Sequence, residues 1–146
     1  MARILAALAV FALGSPGCQP DSEPDPLVSD AAATLGGTAT TSTGRYRVAV
    51  RPARDDVVLG EIHEWIAQVE RSDGSTPSTL YLDLDGGMPS HGHGFVTDPR
   101  VTRDLGDGSF LVEGVKFHMA GAWELYITVG DEQGRDRATV PITVTP

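Results

Sequence analysis

The sequence predicts an all-β fold, an immunoglobulin-like antiparallel β-sandwich of about seven strands. From residue 44 onward, apolar and polar residues alternate with a period of two, which is typical of half-buried strands. Turn-forming Gly, Asp and Ser residues separate these alternating runs, and no stretch shows helical periodicity. About seven short antiparallel strands in about 100 residues are what such a sandwich needs.

The first three predicted strands, residues 45–51, 61–70 and 80–85, each place alternate side chains on one face. Residues 71–75 form the turn between the second and third strands. The predicted inward positions are Tyr46, Val48 and Val50, then His63, Trp65, Ala67 and Val69, then Leu80, Leu82 and Leu84.

Four further strands are predicted at residues 96–105, 110–117, 123–129 and 138–144. Pro99 and Pro141 indicate edge strands, because proline cannot donate to a neighbouring strand. The change of alternation at Gly114 predicts a bulge. Trp65 and Trp123 lie in the apolar phase of strong strands, and we expect both in the core.

The N-terminus has the pattern of a lipoprotein signal peptide over residues 1–17. Arg3 precedes a ten-residue apolar run, residues 4–13, which is too short to span a bilayer but typical of a secretory signal. The chain's single cysteine, Cys18, follows Ser15-Pro16-Gly17, as in a lipobox. Lipidation of Cys18 is the favoured interpretation; the alternative is an ordinary secreted protein with a free thiol.

Residues 18–43 are predicted to be a disordered linker rich in Pro, Ser, Thr and Gly, and residues 44–146 to be the folded domain. The whole chain has a formal charge of −9, and loss of Arg3 with the signal peptide makes it −10. Such an acidic chain, without a basic cluster, is not expected to bind nucleic acid.

Residues 87–94, Gly-Met-Pro-Ser-His-Gly-His-Gly, contain the best candidates for chemistry. In an extended segment, His91 and His93 project from the same side, and Met88 adds a thioether nearby. Imidazole and thioether suit copper or zinc, and the thioether favours copper. The sequence therefore predicts a transition-metal site, most simply for copper, with Met88, His91 and His93 as ligands. The alternative is a structural turn in which both rings bind backbone groups and the glycines supply positive φ.

His118 or His63 is the predicted fourth ligand, if the ends of neighbouring strands converge at one end of the sandwich. Met119 shares the alternation of Val115 and Phe117, which places Met119 in the core and directs His118 outward.

Other chemistries lack a complete set of residues. Asp83-Leu84-Asp85-Gly86 resembles the start of a calcium loop, but the closing glutamate is absent at the required spacing. Ser90 next to His91 has no nucleophile-elbow residues around it. We therefore predict that the protein is not an enzyme.

Three runs together resemble the YtkA-like domain family, which is similar to the FixH type of cytochrome-oxidase accessory protein. They are residues 86–94, residues 106–110 and residues 115–125, with Trp65 on an earlier strand. The resemblance covers about residues 44–145. Its motif positions are Met88, Pro89, His91, His93, Phe117, Met119, Gly121 and Trp123.

The resemblance implies an extracytoplasmic domain connected with copper handling or oxidase assembly. A lipid anchor and linker stand where the FixH type has a transmembrane helix. The expected location is the periplasmic face of a membrane, with the outer membrane favoured by Gln19 after Cys18. Expected partners are the membrane and an envelope protein or metalloprotein acceptor. The alternative function is a structural or protein-interaction module that binds no metal.

Overall fold

The computed structural model describes residues 35–77 and 80–146 and contains nine β-strands within them. The predicted signal peptide, Cys18 and the linker up to residue 34 lie outside the described residues. The strands are β1 (Gly37–Thr40), β2 (Tyr46–Pro52), β3 (His63–Arg71), β4 (Tyr81–Met88), β5 (His93–Gly94), β6 (Arg100–Gly106), β7 (Ser109–Val115), β8 (Gly121–Asp131) and β9 (Gly134–Val144).

The strands form two antiparallel sheets, so the predicted all-β, immunoglobulin-like sandwich is confirmed. One sheet has the order β1-β2-β3-β7-β6, and the other has the order β5-β4-β8-β9. The inward side chains of both sheets make one core, in which Trp65 is 0% and Trp123 1% exposed, as predicted. The described residues include no helix long and apolar enough to cross a membrane.

Two strands were not predicted. β1 lies within the segment assigned to the linker and pairs with β2, with Gly37 opposite Val50 and Thr40 opposite Arg47. The folded unit therefore begins before residue 44, which corrects that boundary. β5 is a two-residue strand inside the histidine loop, where Gly94 pairs with Gly87 and His93 with Met88.

The predicted irregularities are confirmed. The pairing of β3 with β7 shifts register between His63 and Trp65, opposite Gly114, whose φ of +93° is in the region that favours glycine. Pro141 lies in β9 and Pro99 directly precedes β6, and both strands are at sheet edges.

Asp136 on β9 connects the two sheets through the turn between β1 and β2. Ser42 Oγ donates a 2.6 Å hydrogen bond to its carboxylate, and Thr43 donates from both its backbone nitrogen and its hydroxyl. Burial raises the pKa of the Asp136 carboxyl, but hydrogen bonds from Ser42, Thr41 and Thr43 outweigh this effect and hold the pKa well below its usual range.

We expect Asp136→Asn to lower the free energy of unfolding at about pH 7 by about 1–3 kcal/mol. The NH2 group of the new amide is a donor, and it replaces a carboxylate oxygen that accepts hydrogen bonds from Ser42 and Thr43. The folded-state pKa of Asp136 is depressed, so its stabilisation is complete above about pH 5 and is lost as the pH falls through the folded-state value. Urea denaturation at about pH 7 and about pH 3 should therefore show the difference between the two proteins shrinking in acid. Asp83→Asn, at an exposed position on β4, is the control. A difference that stays constant with pH would contradict the prediction.

Candidate metal centre

Four connections between strands lie at one end of the sandwich, which we call the histidine pole. They are the β2–β3, β4–β5, β5–β6 and β7–β8 connections. His63 at the start of β3 pairs with Val115 at the end of β7, and the Gly60 N–H donates a 2.8 Å hydrogen bond to Phe117 O. β4 ends beside the start of β8, with Gly87 opposite Glu124. The topology thus brings the histidine loop next to the segment that carries His118.

The β4–β5 connection is a tight turn that fixes the positions of both loop histidines. The backbone N–H groups of His91 and Gly92 each donate a 3.0 Å hydrogen bond to Met88 O. Gly92 has a φ of +69°, a conformation that favours glycine. This agrees with the alternative interpretation of the loop, a structural turn in which the glycines supply positive φ. The chain then returns along β4, which sets His93 directly opposite Met88.

Three histidine rings form a row at this pole. The ring centroids of His93 and His118 lie 4.8 Å apart, and those of His91 and His93 lie 5.8 Å apart. His91 is exposed, whereas His93 and His118 are half-buried. His93 and His118 are therefore the closer pair, and His91 lies at the solvent side of the row.

Trp123 lies beneath this pair and contacts both rings. Its centroid is 5.3 Å from that of His118, nearly perpendicular to it, and 6.0 Å from that of His93. The indole N–H donates a 3.0 Å hydrogen bond to Met119 O, and Phe95 stacks on the indole at 5.4 Å. The sequence places Trp123 in the core and among the motif positions but predicts no contact with the histidines, and it does not point to Phe95.

The two central rings have buried nitrogens without a hydrogen-bond partner. Among the residues that the structure describes, four buried side-chain polar atoms lack such a partner, and two of them are Nδ1 of His93 and Nδ1 of His118. A buried polar atom left unpaired costs about 1–3 kcal/mol. An imidazole nitrogen with a free lone pair can bind a metal ion, so this pair has the chemistry of two metal ligands.

The two methionines at this pole, Met88 and Met119, differ from each other in exposure. Met88 is 1% exposed, and its Cε is 2.9 Å from the point where a Cβ on Gly121 would lie. Met88 therefore packs beneath the segment between His118 and Trp123. Met119 is 37% exposed, so its predicted core position is wrong. β7 ends at Val115, and the alternation of that strand does not continue through the following turn.

His63 lies at the same pole but is held by a different partner. Its Nε2 is 2.8 Å from Val58 O and 3.2 Å from Val58 N. Within the described residues, the ring contacts of the cluster join His91, His93, His118 and Trp123, and His63 takes no part in them. The structure therefore does not bring His63 to the other histidines.

Within residues 35–77 and 80–146, no group of three or more His, Cys, Asp or Glu side chains is arranged to hold a metal ion. The predicted convergence of three imidazoles, those of His91, His93 and either His118 or His63, is thus not found there. The compact part of the cluster consists of His93 and His118, with Met88 beside His93 on the neighbouring strand.

The comparisons with known proteins return no match. No family model, no curated protein and no solved structure is similar to this chain at a significant level. The resemblance to YtkA-like domains therefore stays a prediction from the motifs, and the fold is described from the structure alone.

Proposed function

We propose that this protein is a membrane-anchored, extracytoplasmic accessory protein that binds or delivers a transition-metal ion, with copper as the ion. His93 and His118 are its central ligands. The protein carries out no catalysis in this proposal. Its partners are the membrane, through a lipid on Cys18, and a metalloprotein acceptor of the cell envelope.

The observation that carries the proposal is the close pair of imidazoles, 4.8 Å apart by ring centroid, each with an unpartnered, buried Nδ1 atom. Histidines kept only for packing would be expected to have both nitrogens paired or in solvent. Metal-ligating imidazole is neutral and uses one nitrogen for the ion, which fits this environment. The basic residue, apolar run and cysteine of residues 1–18 support the anchored, extracytoplasmic part of the proposal.

The test is titration of the full chain with Cu(I), Cu(II) and Zn(II). The protein carries no affinity tag, and Cys18→Ser is present in every sample, so that neither tag nor thiol binds the ion. We expect the His93→Ala/His118→Ala variant to lose about tenfold or more in affinity, which equals about 1.4 kcal/mol or more. A chromophoric chelator in competition measures Cu(I), and calorimetry measures the divalent ions.

His63→Ala is the matched control, because this histidine lies at the same pole but is bound to Val58. It should bind the ion as the parent protein does. Equal, weak uptake by the parent and the double variant would overturn the proposed site.

A specific observation also favours a second function, a protein-interaction module. The described residues include six large apolar side chains that are exposed, and four of them lie on connections at the histidine pole: Val58, Ile62, Val96 and Met119. A contiguous exposed apolar patch is typical of a contact surface, and these four side chains are the candidates for one. If the protein has this second function, none of Cu(I), Cu(II) and Zn(II) binds, and the β4–β5 connection that carries the histidines is a structural turn.

A further inference from the structure

We infer that the site selects a soft monovalent cation, Cu(I), over Cu(II) and Zn(II), and that buried Met88 is its third ligand. This inference rests on the proposed function and adds the oxidation state and the complete ligand set. It is carried by the number, the type and the charge of the donors near His93 and His118.

The cluster has fewer His, Cys, Asp and Glu donors than zinc sites in proteins usually have. Zinc in proteins is almost always held by four ligands in structural sites and by three protein ligands in catalytic sites. The cluster offers two imidazoles at short range, and the described residues contain no third His, Cys, Asp or Glu arranged with them. His91 lies 5.8 Å from His93 by ring centroid and is exposed at the outer side of the row.

The type of the next donor is a thioether. Met88 is directly opposite His93 in the β4–β5 pair, and residues paired in this way project from the same face with Cβ atoms about 4.5–5.5 Å apart. Its methyl end reaches Gly121, three residues after His118. The Met88 side chain thus extends from the neighbour of His93 toward the segment of His118. Thioether is a soft ligand that selects Cu(I).

The charge of the donors also favours a monovalent ion. Two neutral imidazoles and a thioether carry no negative charge to compensate the ion. The cost of burying an ion rises with the square of its charge, so an uncompensated divalent ion costs about four times as much as a monovalent one. The nearby Glu124 carboxylate accepts a hydrogen bond from Tyr126 Oη instead, at 3.0 Å.

Trp123 borders both imidazoles proposed as ligands. Its indole centroid is 5.3 Å from that of His118 and 6.0 Å from that of His93. This short distance supplies a signal. The chain has two tryptophans, so fluorescence of a Trp65→Phe protein reports Trp123 alone.

The experiment compares four ions on the full chain with Cys18→Ser: Cu(I), its redox-inert analogue Ag(I), Cu(II) and Zn(II). We expect Cu(I) and Ag(I) to bind about tenfold or more tightly than either divalent ion, and to change the Trp123 fluorescence. Met88→Leu, which conserves volume, should weaken Cu(I) and Ag(I) by about tenfold or more. Met119→Leu is the matched control and should leave both affinities unchanged.

The outcomes separate this inference from the proposed function. Binding of Zn(II) or Cu(II) as tight as that of Cu(I), and dependent on His93 and His118, keeps the proposed function and overturns the inference. Binding of none of the four ions overturns both. An unchanged Cu(I) affinity in Met88→Leu, or an equal loss in Met119→Leu, overturns the assignment of Met88. The ion preference of the unaltered protein does not depend on how any variant folds.

Discussion

Trp123→Ala is expected to lower the free energy of unfolding by about 3–5 kcal/mol, the range found for loss of a large aromatic side chain from a core. Trp123 is 1% exposed and packs edge-on against Phe117 at 5.3 Å and face-on against Phe95 at 5.4 Å. Its removal leaves a cavity that four rings border, and a two-sheet core has little means of closing it. The proposed metal site should be lost at the same time, since His93 and His118 rest on the indole.

Urea denaturation followed by circular dichroism measures this effect. Trp123→Phe is the informative companion, because it keeps an aromatic ring but removes the hydrogen bond to Met119 O. We expect this variant to lose about 1–3 kcal/mol. A loss below about 1 kcal/mol for Trp123→Ala would show that this part of the sandwich is loosely packed.

Gly86→Ala is expected to cost about 1–3 kcal/mol although it adds a single methyl group. A Cβ on Gly86 would lie 2.5 and 2.6 Å from two ring carbons of Phe95 and 3.0 Å from Glu124 O. Phe95, which stacks on Trp123, must then move away from Gly86, and we expect β5 to move with it. The variant should therefore also weaken the proposed metal binding, without any change to a ligand.

A double-mutant cycle with Phe95→Ala tests that cause. When the ring is absent, its clash with the new methyl group is absent too, so Gly86→Ala should cost much less in the Phe95→Ala background than in the native one. Stability of the four proteins in urea gives the coupling energy. Equal costs in both backgrounds would place the strain at Glu124 O instead.

Six of the seven strands that the sequence predicts bury one face through their own side chains: β2, β3, β4, β7, β8 and β9. In β6 only Val101 is half-buried, and the strand is held by pairing with β7. β1 was not predicted, because Gly37–Thr40 contains no large apolar residue and is held by pairing with β2. β5 is too short to show any period, and it exists because the turn after Met88 returns the chain to β4.

The candidate site was predictable in its residues but less so in its geometry. The motif identified Met88, His91, His93 and His118, and the end of the sandwich where they lie follows from strand order. The partner of His63 was not readable, because its Nε2 lies 2.8 Å from Val58 O in the β2–β3 connection, where no strand alternation predicts contacts. The contact of Trp123 with the histidines depends on the return of β5, which no local pattern encodes.

The outer strands of both sheets have a consequence for association between molecules. β1 has four residues and β5 has two, β6 shifts register twice along β7, and β9 contains Pro141. Short length, irregular register and a missing N–H each prevent a second chain from adding to an open sheet edge. These features protect the four outer strands of the domain against edge-to-edge aggregation.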